Sequence, residues 1–199
     1  MTSRSEGSAR VREILLQSVA VKQALADSGA EAVARAAILC AEGLRAGGRI
    51  LLFGNGGSAS DAQHIAGEFT GRLGRERPAL AALALTANSS DVTAIGNDYG
   101  FEHVFTRLLQ AHGRPGDVAV AISTSGNSPN VLSAVREAKE RGLRTIGLVG
   151  RGGGKLAPLV DCAIVVPSDD TQRIQESHIT IGHALCELVD EALFPRPDA

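Results

Sequence analysis

Five short, almost wholly apolar runs punctuate the chain: Ile50 to Phe53, Ala81 to Leu85, Asp117 to Ile122, Thr145 to Val149 and Cys162 to Val166. They do not alternate with polar residues as strands wetted on one side do, which is the pattern of parallel strands covered on both faces. Around them apolar positions recur at helical spacing. Ser8 to about Ala26 places Val11, Ile14, Leu15, Val19 and Leu25 on one helix, and Glu31 to Leu44 repeats the pattern with Val33, Ala36, Ala37, Leu39 and Cys40. A long helical pattern from Thr171 to Phe194 runs through Ile174, Ile181, Leu185, Leu188 and Val189. The expectation is an α/β fold, a three-layer αβα sandwich: a five-stranded parallel sheet with two N-terminal helices and a long C-terminal helix, in one domain over 1–199. Apolar residues spread round more of the first helix than one core needs, so residues 8–46 are expected in contacts between subunits.

Ligands of open parallel sheets sit at the carboxyl ends of the strands, so the residues after each run are the ones to read. The first strand meets Gly54, Asn55, Gly56, Gly57 and Ser58, and a helix opens at once with Ala59, Ala62, Ile65, Ala66 and Phe69 on one side. Glycines bring a ligand close to main-chain N–H groups, and the positive end of the helix favours an anion such as phosphate. After the third strand comes Ser123, Thr124, Ser125, Gly126, Asn127, Ser128. Ser128 suits an N-cap and Pro129 a first helical position, but capping does not explain four hydroxyl residues in six; phosphate binding does. GRGGGK after the fourth strand reads as a plain flexible loop.

His64 and Glu68 are four apart, so on a helix they project from one face and could share a metal or a proton. The last helix adds Gln175, His178 and His183. Gln175 and His183 are separated by about 12 Å of helix rise and roughly 80° of rotation, and spacing does not choose between His178 and His183.

Two commoner phosphate motifs fail. Gly54, Gly56 and Ala59 fit the loose dinucleotide pattern, but the second strand ends in Thr86, Ala87, Asn88 without the acid that would hold a ribose; the first acid is Asp91. No Gly-Lys-Ser/Thr closes the turn, so triphosphate chemistry has no lysine. A phosphomonoester fits better. A net charge of −2, one Tyr, no Trp and five Phe offer neither a basic footprint nor stacking platforms for nucleic acid. Cys40, Cys162 and Cys186 are odd in number and set in apolar patterns, as in a reduced compartment. MTSRSEGSAR has no apolar signal core, and no uncharged apolar run nears the roughly 18 residues a bilayer needs, so the expectation is a cytoplasmic protein without a membrane role.

GNGGSASDAQHIAGEF, AIGND, STSGNS and RIQESHITIGH, in order and across nearly the whole chain, resemble the phosphoheptose isomerase family of the sugar isomerase (SIS) domain superfamily. The resemblance implies a homotetramer with sites between subunits, acting on sedoheptulose 7-phosphate. It implies one zinc per subunit on His64, Glu68, Gln175 and His183, with Glu68 and His183 also the catalytic acid/base pair. Asn55, Gly56, Gly57, Asn97, Asp98, Gln175 and Glu68 would line the sugar, and Ser58, Ser123, Thr124, Ser125 and Ser128 its phosphate. Some members carry an acid where this chain has Gln172 or its neighbour; Asp169 and Asp170 lie close by. Two alternatives remain open: a binding protein like the SIS-domain relative that associates with the replication initiator DnaA, and an isomerase of another sugar phosphate. Glu68 and His183 favour an enzyme, because an aldose–ketose isomerase needs a base and an acid facing each other and a scaffold needs neither.

Overall fold

The computed structural model describes residues 4–195. Five strands form one parallel sheet: β1 (Ile50–Gly54), β2 (Ala82–Ala84), β3 (Val118–Ser123), β4 (Arg144–Val149) and β5 (Cys162–Val165), in the order β2-β1-β3-β4-β5. Both faces are covered, as the unbroken apolar runs require. Ile50, Leu52, Val118, Val120, Ile122, Ile146 and Leu148 face a core shared with α1 (Arg4–Arg45), α2 (Gly57–Thr70) and α6 (Thr171–Leu193). Leu51, Phe53, Ala119, Ala121 and Val149 face the other, with α4 (Val104–His112) and α5 (Pro129–Glu140); α3 (Ser89–Tyr99) leans on that layer through Val92 and Ile95.

The expected pair of N-terminal helices is corrected to one. α1 runs unbroken for 42 residues, roughly 63 Å at 1.5 Å per residue. Asp27, Ser28 and Gly29, between the two apolar patterns, do not interrupt it. The Ser28 hydroxyl donates to the Ala24 carbonyl at 2.7 Å, and Gly29 is buried under Leu25, whose Cδ1 lies 2.7 Å from where a Cβ would stand. A helical glycine costs about 1 kcal/mol relative to alanine, which packing of α1 against α6 and the sheet outweighs. The N-terminal half of α1 carries a stripe left uncovered in one chain: Val11 is 57%, Leu15 61% and Val19 61% exposed.

α2 is anchored at its C-terminal end by Arg77. The guanidinium is buried and donates to the carbonyls of Glu68, Phe69 and Gly71 at 2.8 Å, to the Pro78 carbonyl at 3.1 Å, and to the Asp190 carboxylate of α6 at 2.9 Å. It thereby satisfies carbonyls that the end of a helix leaves without partners and ties α2 to α6. Removing one member of a buried ion pair strands the other charge, at a cost of about 3–5 kcal/mol. Arg77→Met should lower the urea midpoint at fixed protein concentration accordingly, and Arg77→Met/Asp190→Leu should recover much of the loss. A single variant as stable as the parent would show that the pair contributes nothing.

Candidate active site

The glycine turn after β1 is shaped by close approaches. Gly56 has φ 55°, in the left-handed region that favours glycine. A Cβ on Gly57 would stand 2.5 Å from Nε2 of Gln175, so the glycine lets the Gln175 amide of α6 lie against the turn. The main-chain cradle is narrower than expected: the Ser58 and Ala59 N–H groups donate at 3.0 Å to the Asn55 and Gly56 carbonyls, and the Ser58 residue is itself buried. Gly56 and Gly57 remain exposed.

The serine loop is built differently from the simple cap its sequence suggests. Ser128 holds the N-cap position of α5 and Pro129 the first turn, yet the Ser128 hydroxyl makes no capping bond; its Oγ lies 3.2 Å from Oγ of Ser123. Thr124 and Ser125 are half-buried beside them, the Ser125 Oγ accepting from the Asn127 N–H at 3.2 Å. GRGGGK is not a bare loop but the support beneath. A Cβ on Gly126 would stand 2.2 Å from the Gly153 carbonyl oxygen, and the Leu156 N–H donates to the Gly126 carbonyl at 3.0 Å. The Asn127 amide spans the two loops, donating to the Ser125 carbonyl at 2.9 Å and accepting from the Lys155 N–H at 3.1 Å.

α2 and α6 bring His64, Glu68 and His183 together. One ligand atom from each lies within 4.8 Å of the others; His64 Nε2 is 3.1 Å from Glu68 Oε1, and the two imidazoles meet edge to face with centroids 5.1 Å apart. Gly182 permits this, since a Cβ there would collide with Ile65 at 2.5 Å. The set fits a metal. Zinc bonds of about 2.1 Å set tetrahedral ligands roughly 3.4 Å apart, close to the His64–Glu68 separation. His183 Nε2 is moreover buried without a hydrogen-bond partner among the described residues, as a nitrogen kept for a ligand would be.

The other candidates divide. His178, which spacing could not separate from His183, lies wholly inside the protein; neither ring nitrogen has a partner of good geometry among the described residues, and burial pushes its pKa down to about 4, opposed by the Val149 backbone. Asp61, one turn before His64, has a buried Oδ2 without a partner among the described residues, and burial raises its pKa against the opposing effect of His64. Asp170 is committed to capping α6, accepting from the Gln172 and Arg173 N–H groups at 2.8 and 3.5 Å, while Gln172 is exposed. Asn97 and Asp98 sit exposed on α3 and bond each other at 2.8 Å. One buried polar residue beside the glycine turn escaped the sequence reading: Asn130 of α5, whose amide pairs with that of Asn55. Its only sequence signal is its place in STSGNSPN, where the hydroxyls draw attention first.

A parallel sheet in the order β2-β1-β3-β4-β5 with glycine and serine loops at its carboxyl edge is the setting in which comparisons become informative. The SIS domain model matches residues 9–150, ending before the helix that carries Gln175 and His183. The phosphoheptose isomerase of Rhodospirillum rubrum is 57% identical over 164 residues, 82% of this chain and 87% of that protein. That of Aquifex aeolicus is 50% identical over 187 residues, 94% and 98% of the two chains. The solved structure of phosphoheptose isomerase from Neisseria gonorrhoeae superposes with a TM-score of 0.88 at 48% identity, covering 92% of this chain and 98% of that one. The chain belongs to the SIS domain family and, within it, to the phosphoheptose isomerases.

Burial of His178 ties stability to pH. Its pKa is depressed in the folded protein, so between pH 6.5 and about 4 the unfolded chain binds a proton that the folded one refuses. Stability from this group is complete above pH 6.5 and is lost as pH falls through that window, by about 3 kcal/mol in all. His178→Gln should flatten the fall in urea midpoint between pH 6.5 and 4. An unchanged slope would mean that other groups carry it.

Proposed function

We propose that this protein is an aldose–ketose isomerase that converts sedoheptulose 7-phosphate into D-glycero-D-manno-heptose 7-phosphate. In this reading it supplies the first step towards nucleotide-activated heptose for bacterial surface glycans such as lipopolysaccharide, in the cytoplasm. The observation that carries the reading is the convergence of His64, Glu68 and His183 where α2, the helix that opens from the glycine turn, packs against α6.

Asn55, Gly56, Gly57, Gln175, Asn97 and Asp98 hold the sugar in this reading, and Ser58, Ser123, Thr124, Ser125 and Ser128 its phosphate. Glu68 takes the proton from C1 of the ketose, and the pair of electrons left behind forms the C1–C2 double bond of an enediol. His183 gives a proton to the C2 oxygen as that carbonyl opens and accepts one from the C1 oxygen as the aldehyde forms. Glu68 returns its proton to C2, which completes the aldose with no net gain or loss. A single carboxylate serves both carbons because they are adjacent, and imidazole suits the oxygens because it both gives and accepts protons near neutrality. His64, Glu68, Gln175 and His183 would hold one zinc per subunit, a mixed nitrogen and oxygen set without thiolate. Zinc, when bound there, supplies Lewis-acid stabilisation of charge on the sugar oxygens.

A binding protein without chemistry is the competing class, and the His183 nitrogen, opposite a carboxylate and without a partner among the described residues, favours the enzyme. Incubation with sedoheptulose 7-phosphate and with shorter ketose phosphates, followed by NMR, separates the readings: heptose turnover is expected, and turnover of a shorter sugar alone would reassign the substrate. Glu68→Gln should lower the rate by roughly 100-fold or more and abolish solvent-deuterium exchange into the sugar. Wild-type exchange, with metal content checked, would remove Glu68 from the proton transfer.

The uncovered stripe of α1 supports assembly into a homotetramer. Light scattering at micromolar concentration should report four chains, and Leu15→Glu/Val19→Glu should reduce that number. A monomeric parent protein would refute the assembly.

A further inference from the structure

The glycine turn and the serine loop leave the sheet side by side but part at once. β1 and β3 are neighbours, with Gly54 level with Ile122, yet α2 after β1 packs on one face and α5 after β3 on the other. Chains that diverge in this way open the crevice at which parallel sheets bind ligands. An asparagine pair spans it. Asn55 Nδ2 donates to Asn130 Oδ1 at 2.9 Å, and Asn130 Nδ2 donates to Asn55 Oδ1 at 2.9 Å. Asn130 is buried, 3% exposed, whereas Asn55 reaches the surface of the turn.

The orientation of both amides is determined by a third group. The Val131 N–H donates to Asn130 Oδ1 at 3.0 Å, and a main-chain N–H can only donate. The atom it meets must therefore be the oxygen, which leaves the Asn130 nitrogen facing Asn55 Oδ1 and the Asn55 nitrogen facing Asn130 Oδ1. Paired in this way, Asn55 has one N–H and one oxygen lone pair left over, each at a fixed place. A free asparagine on a glycine turn could present either end of its amide to a sugar hydroxyl; this one presents a set polarity.

We infer that Asn130 is a positioning residue of the sugar site, fixing through Asn55 which donor and which acceptor the substrate meets. This rests on the reading that Asn55 binds the sugar. Asn130 touches no substrate in this scheme and acts only through its partner, so the two residues should behave as a unit.

The test is a double-mutant cycle on kcat/KM for sedoheptulose 7-phosphate, using Asn55→Ala, Asn130→Asp and the double variant. The aspartate keeps an acceptor for Val131 but sets an oxygen against Asn55 Oδ1, which unlocks the amide. Asn130→Ser breaks both bonds with a shorter side chain and serves if the aspartate variant does not fold. Each single variant is expected to lose about tenfold in kcat/KM, with the double variant no worse than Asn55→Ala alone. Inhibition by inorganic phosphate and the urea midpoint should stay within about twofold of the parent. Additive losses, or full kcat/KM in Asn130→Asp beside an impaired Asn55→Ala, would overturn the inference alone. Full kcat/KM in Asn55→Ala would instead remove Asn55 from the sugar site, and the inference with it.

Discussion

The contact between α2 and α6 is the constraint on which the site depends. His64 and Glu68 belong to one helix and His183 to the other, so their separation is set by how closely the helices lie. Gly182 has no side chain where Ile65 presses against α6, and this places His183 next to the closest approach. At the far end of α2, Arg77 bonds the carbonyl of Glu68 itself and the carboxylate of Asp190. A buried ion pair of this kind is weak evidence for stability, because desolvation offsets much of the attraction. Its effect here is geometric: five acceptors around one planar guanidinium leave α2 little freedom to slide along α6.

What was legible in the sequence followed from periodicity, and what was not depended on contacts between distant segments. The strands were legible because burial on both faces leaves no polar alternation. His64 and Glu68 were legible because four residues bring side chains to one helix face. Choosing His183 over His178 required the rotation of α6 about its axis. Five residues turn a helix by roughly 140°, so the two histidines cannot face the same way. One meets α2, and the other enters the core beside β4. The supporting role of GRGGGK and the pairing of Asn55 with Asn130 both lie in contacts across tens of residues, where hydroxyl and glycine content carry no signal. The unbroken α1 was hidden for another reason: Ser28 and Gly29 have poor helix propensity, and packing overrides it.

One chain leaves parts of this arrangement unaccounted for, and they point the same way. Val11, Leu15 and Val19 are exposed along one face of a helix whose C-terminal half enters the core through Leu25, Ala36, Ala37 and Cys40. Asn97 and Asp98, expected at the sugar, are exposed on α3 and bond each other. A protein that buries its sheet on both sides so completely has no need to expose either group for its own folding. Both are explained if chains associate through α1 and the sugar site is completed as they do.

The polar groups of these helices and loops are treated in three distinct ways, and the differences follow from what each must do. Arg77 and Asp190 are charged, buried and paired, which holds backbone in place. His178 is buried and kept neutral, its pKa pushed down to about 4, so it adds no charge to the core beside β4. Asn55 and Asn130 are neutral and reciprocally bonded, which fixes direction without introducing charge. Against these, His183 Nε2 is buried with no partner among the described residues. An unpaired buried nitrogen costs about 1–3 kcal/mol, and this one, unlike those of His178 in the core, faces a carboxylate and a second imidazole, where a bound group completes it. A metal ion or a substrate oxygen is the kind of group that would.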